Sequence, residues 1–419
     1  MRRTAVGGEG CGKYPRRPPM VLSSASRKIL FILLALVALV PSLRLKHYAG
    51  PNLYGMQAQA WLEGRWDVPG PVEDLSLYGE RYYVAFPPFP SVVLLPVVAL
   101  TGHERVPYRA VALAVAGFAA WIAWRVLRRL DIPEADRPWL VAALLAGTAF
   151  WYCVVQSEAV WFFAHVVAVT CSLLALEEAL GPARGARAGL WAGLAFLSRQ
   201  LCVYLVPFIA LVVWWRHAEA GRRRQVREGV LALALAGVCG GVYLLLNALR
   251  FGDPFNTGYA GMPLSEFLAE RVARYGLFHP AYVPFNFFHM FLEGPHFEFG
   301  GPRKLAPLGI DGMGTSLTLA SPFLFVALAA RPERPLRWAA WGMVGLSLVH
   351  MLHYYNNGWV QLNAQRFSLD FLPVLWVLMA LGTRHVEARW WKGLVAWSIG
   401  LNVLVLSLLP ELVHAWRRL

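Results

Sequence analysis

Arg199 stands in the middle of LWAGLAFLSRQLCVYLVPFIALVVWW, residues 190–215, a stretch that is otherwise almost all apolar. A guanidinium at membrane depth costs roughly 2.5–3.5 kcal/mol on insertion scales and is usually kept for function. Its chemistry suits an anionic headgroup, because a guanidinium grips phosphate through two parallel N–H bonds. A second arginine, Arg366, opens RFSLDFLP four residues ahead of Asp370, a spacing at which the two can pair along a helix. Such a pair fits a folding clamp as well as a binding site. Carboxylates able to take a proton from a hydroxyl acceptor stand together at Glu73 and Asp74, and again at Glu158 in VVQSEAVWFFAH. Each of the first two, taken alone, also fits a solvated turn. His165 lies two turns beyond Glu158, and the two could satisfy each other. His353 closes a later apolar run. His289 and His296 are poorly spaced for a metal, and the five cysteines (11, 153, 171, 202, 239) show no ligand spacing, so no metal site is assigned.

The elements that must hold these groups are membrane helices. Of 419 residues, 57% are hydrophobic and only 15% charged, and mean hydropathy is +0.46. That is the composition of an all-α polytopic membrane protein, and the 18 Trp and 15 Tyr suit an interfacial belt. The net charge of +14 does not point to nucleic acid, because the arginines gather in short loops between apolar runs.

Runs of spanning length occur near 29–45, 106–127, 138–156, 159–179, 229–249, 315–330, 338–354, 367–382 and 393–409. The short, proline-rich run 86–100 does not span. Arginine clusters at 125–137, 184–187, 216–227, 331–337 and 384–392 mark cytoplasmic loops. Clusters on both sides of 189–215 demand two short arms meeting at Ser198–Gln200; one long tilted helix with a snorkelling arginine is the alternative. The expectation is about eleven passes in one domain, 27–419. A disordered basic segment, 1–26, precedes it, and the N-terminus is cytoplasmic. Outer segments cover 46–105, 250–314 and 354–366. The first carries an amphipathic helix, Asn52–Glu63, lying on the membrane with Asn52 as its N-cap. The second is aromatic and Gly/Pro-rich, the composition of a binding lid.

Four stretches resemble a known family. AWLEGRWDVP (60–69) and YGERYYVAFPPFP (78–90) are similar to the juxtamembrane turn and aromatic-proline segment of GT-C fold glycosyltransferases of the protein O-mannosyltransferase and aminoarabinose transferase branch. GLAFLSRQLCVYLVP (193–207) is similar to the family's segment in which a cation meets the donor phosphate, and Arg199 falls on that cation. RFSLDFLP (366–373) resembles a late arginine-aromatic run of bacterial members. The resemblance implies a polyprenyl-phosphate sugar as donor, with Arg199 and Arg366 on its phosphate. Asn52, Tyr82, His165, His353 and Asp370 are the candidate substrate-binding residues. The family's acidic base stands where this chain has Asn52, and an amide cannot take a proton as a base does. Asp74, Glu73 or Glu158 then supplies the base, or the chemistry differs, or the chain is inactive.

The expected activity is transfer of a sugar from the lipid donor to a hydroxyl on a glycan, lipid or protein. It would take place on the outer face of a bacterial inner membrane, with no divalent metal and no nucleic acid. A lipid or small-molecule transporter is the alternative from another class, although the halves show no internal repeat. An inactive scaffold of the same fold is a third reading.

Overall fold

The computed structural model describes residues 28–36, 50–294, 297–310, 315–356 and 366–416. The basic segment 1–26, the second half of the run 29–45, His296 and most of the outer segment 354–366 lie outside the described residues. In chain order the helices are α1 (28–36), α2 (Leu53–Leu62), α3 (Phe89–Thr101), α4 (Tyr108–Arg129), α5 (Arg137–Ala146), α6 (Ala149–Val155), α7 (Val160–Leu180), α8 (Gly185–Phe196), α9 (Leu205–Arg216), α10 (Arg222–Phe251), α11 (Glu266–Tyr275), α12 (Val283–Phe287), α13 (Leu317–Ala320), α14 (Arg334–His353), α15 (Leu372–Gly382) and α16 (Ala388–Trp416). Two antiparallel hairpins complete it: β1 (Leu75–Tyr78) with β2 (Arg81–Val84), and β3 (Phe297–Gly300) with β4 (Ala306–Ile310).

Among the described residues four helices are long and apolar enough to cross a membrane: α4, α7, α10 and the first 20 residues of α16. The bent pair α5–α6 makes a fifth if it counts as one span. Helix α7 is the hub, with 89% of its most apolar stretch buried against 28% for α10, so α7 lies inside the bundle and α10 at its surface. This is an all-α membrane protein with two small hairpins.

Local chemistry explains where the helices break. α5 and α6 are bent by 59° at Gly147 and Thr148. The backbone carbonyls freed there are answered from other elements. Asn402 Nδ2 donates to Ala146 O (2.5 Å) and Thr148 O (3.1 Å), and Ser321 Oγ donates to Gly147 O (2.7 Å). Such repayment is what a kink inside a membrane requires. The run 315–330, expected to be one span, instead yields the four-residue α13 and a 3₁₀ segment, Pro322–Ala329. Pro322 brings no N–H for Thr318's turn to use, which ends the α-helix there.

The two-arm reading of 189–215 holds. α8 stops at Phe196, Arg199 is extended (φ −146°, ψ 116°), and a 3₁₀ turn, Gln200–Tyr204, leads into α9. The far ends of the arms meet, with His217 Nε2 2.9 Å from Ala183 O, which a single continuous helix could not do. α8 lies against α10 through Gly185, Gly189 and Gly193. A Cβ on Gly189 would come within 2.0 Å of Ala232 O, so only hydrogen fits.

The first outer segment departs from expectation in one respect. α2 is not an amphipathic helix on a surface. Seven of its ten residues, Leu53–Ala58 and Ala60, are buried, because α3 and the first hairpin cover it where lipid headgroups were expected. That hairpin turns at Gly79 (φ 53°) and Glu80 (φ 64°), two left-handed residues as a tight two-residue turn needs.

Candidate functional site

The polar groups singled out in the sequence converge from four parts of the fold. Arg199, at the apex between α8 and α9, grips Asp370 with both ends of the carboxylate: Nε to Oδ1 at 3.2 Å and Nη2 to Oδ2 at 3.0 Å. Asp370 is fully buried, and its Oδ1 also faces His165 Nδ1 of α7 at 3.4 Å. Arg366 therefore does not pair with Asp370. Residues Arg366–Asp370 form a 3₁₀ helix. At three residues per turn, positions four apart point about 120° away from each other.

The aromatic ring of Phe367 ties the two arginines together. Arg199 Cζ lies 5.1 Å from its centroid and Arg366 Cζ 5.3 Å, while Arg366 also lies 5.1 Å from the Phe162 ring. Guanidinium faces are attracted to such rings and are less strongly hydrated than ammonium groups, so one ring can hold both cations. His165 completes the cluster, its ring 6.2 Å from Phe367.

Asp74 enters from the outer segment. It has a left-handed backbone (φ 63°), a conformation that non-glycine residues adopt at a cost and that clusters at functional sites. It lines a cavity of about 70 Å³ with Leu53, Val72, Glu73, Val160 and Trp161. One carboxyl oxygen, Oδ2, is buried without a hydrogen-bond partner among the described residues. Burial, followed by the neighbouring Glu73 charge, pushes its pKa up to about 6, while Trp161 and the Arg366 charge pull the other way. Asp74 is thus within the electrostatic reach of Arg366 and close to the range useful to a general base at neutral pH. Glu73 is exposed at the cavity mouth.

The other expected residues are held in the surrounding frame. Glu158 pairs with Arg109 (3.2 Å), so it does not pair with His165. Asn52 is the N-cap of α2: its Oδ1 accepts from Tyr54 N (3.0 Å) and Gly55 N (3.4 Å). Its Nδ2 donates to Ser157 O (3.1 Å) and Glu158 O (3.0 Å), fastening α2 to the turn ahead of α7. Tyr82 packs against Gly70, where an added Cβ would meet its ring at 2.4 Å. His353 Nδ1 turns back on its own helix, 2.8 Å from Val349 O. Among the described residues no group of three His, Cys, Asp or Glu is placed to hold a metal ion.

Several neighbours of the site were not picked out in the sequence. Tyr54, Phe86 and Tyr259 form an aromatic wall, with Phe86 6.3 Å from Tyr54 and 6.2 Å from Tyr259. Burial raises both phenols, and both sit in the field of Arg199. Ser76 Oγ donates to Gly258 O (2.6 Å), docking the start of the second outer segment on the first hairpin. Beside the apex, Phe89 N donates to Leu197 O (2.9 Å). A groove of about 360 Å³ opens there, lined only by apolar atoms, with Trp61, Trp66, Phe89, Leu197, Val242 and Leu246 among its residues. Two signals could have found part of this: the Gly-Glu turn between alternating runs in LSLYGERYYV, and the arginine-flanking Phe367.

No family model matches the sequence, and no curated protein does. Solved structures do. ArnT from Cupriavidus metallidurans bound to undecaprenyl phosphate superposes with a TM-score of 0.53 at 14% identity, over 94% of this chain and 77% of that one. Its apo state gives 0.49 at 14% identity, over 88% and 62%. The archaeal oligosaccharyltransferase AglB from Archaeoglobus fulgidus, in complex with an inhibitory peptide and a dolichol-phosphate, gives 0.38 at 13% identity, over 94% and 56%. The chain has the GT-C fold that the sequence resemblance implied.

Proposed function

We propose that the protein is a membrane glycosyltransferase that moves a sugar from a polyprenyl-phosphate donor to a hydroxyl acceptor on the outer face of the membrane. The observation that carries this reading is the pair of arginines on the Phe367 ring, Arg199 half-buried and Arg366 buried, with Arg366 within electrostatic reach of Asp74. Arginines at such depth suit a phosphate that is attached to lipid. The apolar groove at Leu197 offers the isoprenoid chain a path to the same apex. The ArnT structure of the same fold holds undecaprenyl phosphate.

In this mechanism Asp74 takes the proton from the acceptor hydroxyl, with Glu73 and Glu158 as the other acids of the same face. The acceptor oxygen bonds to the anomeric carbon from the side opposite the phosphate, as the bond from that carbon to the phosphate oxygen breaks. The configuration inverts. The electron pair leaves with the phosphate, whose growing charge meets Arg199 and Arg366 already in position, which lowers the barrier electrostatically. Tyr82, His165, His353, Asp370 and Asn52 shape or hold the substrate sites. The rest of the proposal is one domain, 27–419, with about eleven passes. The N-terminus and basic loops lie in the cytoplasm of a bacterial cell and the site on the outer face of its inner membrane.

The test is binding of a polyprenyl-phosphate sugar to the purified protein and its transfer to a hydroxyl acceptor. Wild type is expected to bind and Arg199→Ala, folded, to lose binding. Equal binding by both would remove the phosphate from Arg199.

A further inference from the structure

The candidate site poses an electrostatic problem. Arg199, the cation meant for a phosphate, already has its charge matched by Asp370 at 3.0 Å, and Asp370 is fully buried. A guanidinium is only a few ångströms across. An anion that reaches Arg199 must therefore sit close to the Asp370 carboxylate, whether it displaces that carboxylate or binds the remaining edge. Two negative groups side by side in a buried site raise each other's affinity for a proton.

The structure also contains the group able to accept that proton. His165 Nδ1 lies 3.4 Å from Asp370 Oδ1, and the His165 side chain has no exposure. Neither ring nitrogen has a hydrogen-bond partner among the described residues. A buried imidazole with Nδ1 against a carboxylate and Nε2 without a hydrogen-bond partner among the described residues is unusual in a core. The other titratable or charged groups that face this pair are Arg199 and Cys202 from the apex, Arg366 from the same 3₁₀ turn, Cys153 from α6 and His350 from α14. His165 and His350 both have their ordinary range near neutral pH, and of the two His165 is the one in contact with the carboxylate.

We infer that His165 and Asp370 form a proton-linked counterweight to Arg199: binding of a phosphate-type anion at Arg199 draws one proton from solvent onto the pair. The inference rests on the donor reading above and adds a role to it. Asp370 keeps Arg199 neutralised in the empty site. On anion binding the pair takes up the proton and stops repelling the ligand. During transfer, the same proton offsets the extra charge gained when a phosphodiester becomes a monoester.

The experiment is titration calorimetry of the full chain in detergent, in two buffers of different ionisation enthalpy, which counts protons taken up on binding. The probes are a farnesyl methyl phosphodiester and inorganic sulfate, neither of which titrates near neutral pH. For wild type we expect uptake of one proton. Affinity should rise about tenfold for each unit of fall from about pH 8 to about pH 6.5, the ordinary histidine range. Asp370→Asn should bind without proton uptake, at an affinity flat in pH and no weaker than wild type at pH 8. His165→Asn, which keeps the Arg199–Asp370 pair, should also lose the uptake. Wild-type binding without proton uptake overturns the inference and leaves the donor reading standing. Uptake with sulfate but no binding of the diester keeps the proton linkage and removes the lipid donor. Binding of neither probe overturns both.

Discussion

Arg199 is bound to its carboxylate too tightly for a simple deletion to be read alone. Removing one partner of a buried pair leaves the other uncompensated, at about 3–5 kcal/mol. Arg199→Ala is therefore expected to lower the melting temperature as well as to abolish donor binding. The double variant Arg199→Ala/Asp370→Asn should recover much of the stability and none of the binding, in thermal melts paired with binding assays. Recovery of binding would show that Arg199 does not hold the donor. Asp74 makes the opposite trade. Its pKa is raised from 3.8 to about 6, so the folded state holds its proton more strongly than the unfolded chain. Stability from this group falls as pH rises from about 4 through about 6. Asp74→Asn should then melt higher than wild type at neutral pH while losing transfer. In wild type the acidic limb of the transfer rate should rise through pH 6, because a base must be ionised to act. A melting temperature unchanged or lowered by Asp74→Asn would argue against a carboxylate strained for function.

At the scale of elements, the position of the apex depends on how closely α8 approaches α10. Gly185, Gly189 and Gly193 recur every four residues on one face of α8. At each, an added Cβ would come within 2.7 Å of the neighbouring helix. Gly189→Val should force the helices apart, costing about 1–3 kcal/mol or more and displacing Arg199 from Phe367. The expected readout is a lower melting temperature with donor affinity reduced, and unchanged affinity would mean that the apex is placed by α9 alone. The kink between α5 and α6 depends in the same way on a distant side chain. Asn402→Ala would leave the carbonyls of Ala146 and Thr148 without that donor, at about 1–3 kcal/mol, seen as earlier thermal unfolding.

For the whole molecule, ion pairs and hydrogen bonds gather several of the basic loops at one end. Arg125 and Arg129 meet Glu177 at 2.9 and 3.1 Å. Arg184 meets Glu178 at 2.8 Å, and Lys392 meets Asp136 at 2.7 Å. Gly185 N donates to Glu228 at 2.8 Å. Loops that share one end of a membrane protein share one side of the membrane. Single cysteines at Glu80 and at Arg224, in a background with the natural cysteines replaced, should label from opposite sides in intact cells. Labelling of both from outside would break the proposed topology.

The membrane class, the two arms around Arg199 and the Asn52 cap were all legible in the sequence. Each depends on local hydropathy, proline, charge sidedness or a side chain reaching its own backbone, and such causes act within a few residues. The set of candidate charges was legible for the same reason: Arg199 and Asp74 are conspicuous against their neighbours. Their partners were not. Asp370 lies 171 residues from Arg199 in the chain. It could be matched to Arg199 and not to Arg366 only once the 3₁₀ turn had rotated it and α7 had brought His165 alongside. The burial of α2, the aromatic wall of Tyr54, Phe86 and Tyr259, and the repair of the α5–α6 kink by Asn402 likewise depend on which elements pack together. Pairing between distant polar groups in a buried site is decided by three-dimensional packing, because each group takes whichever partner the fold places within reach of its desolvated charge.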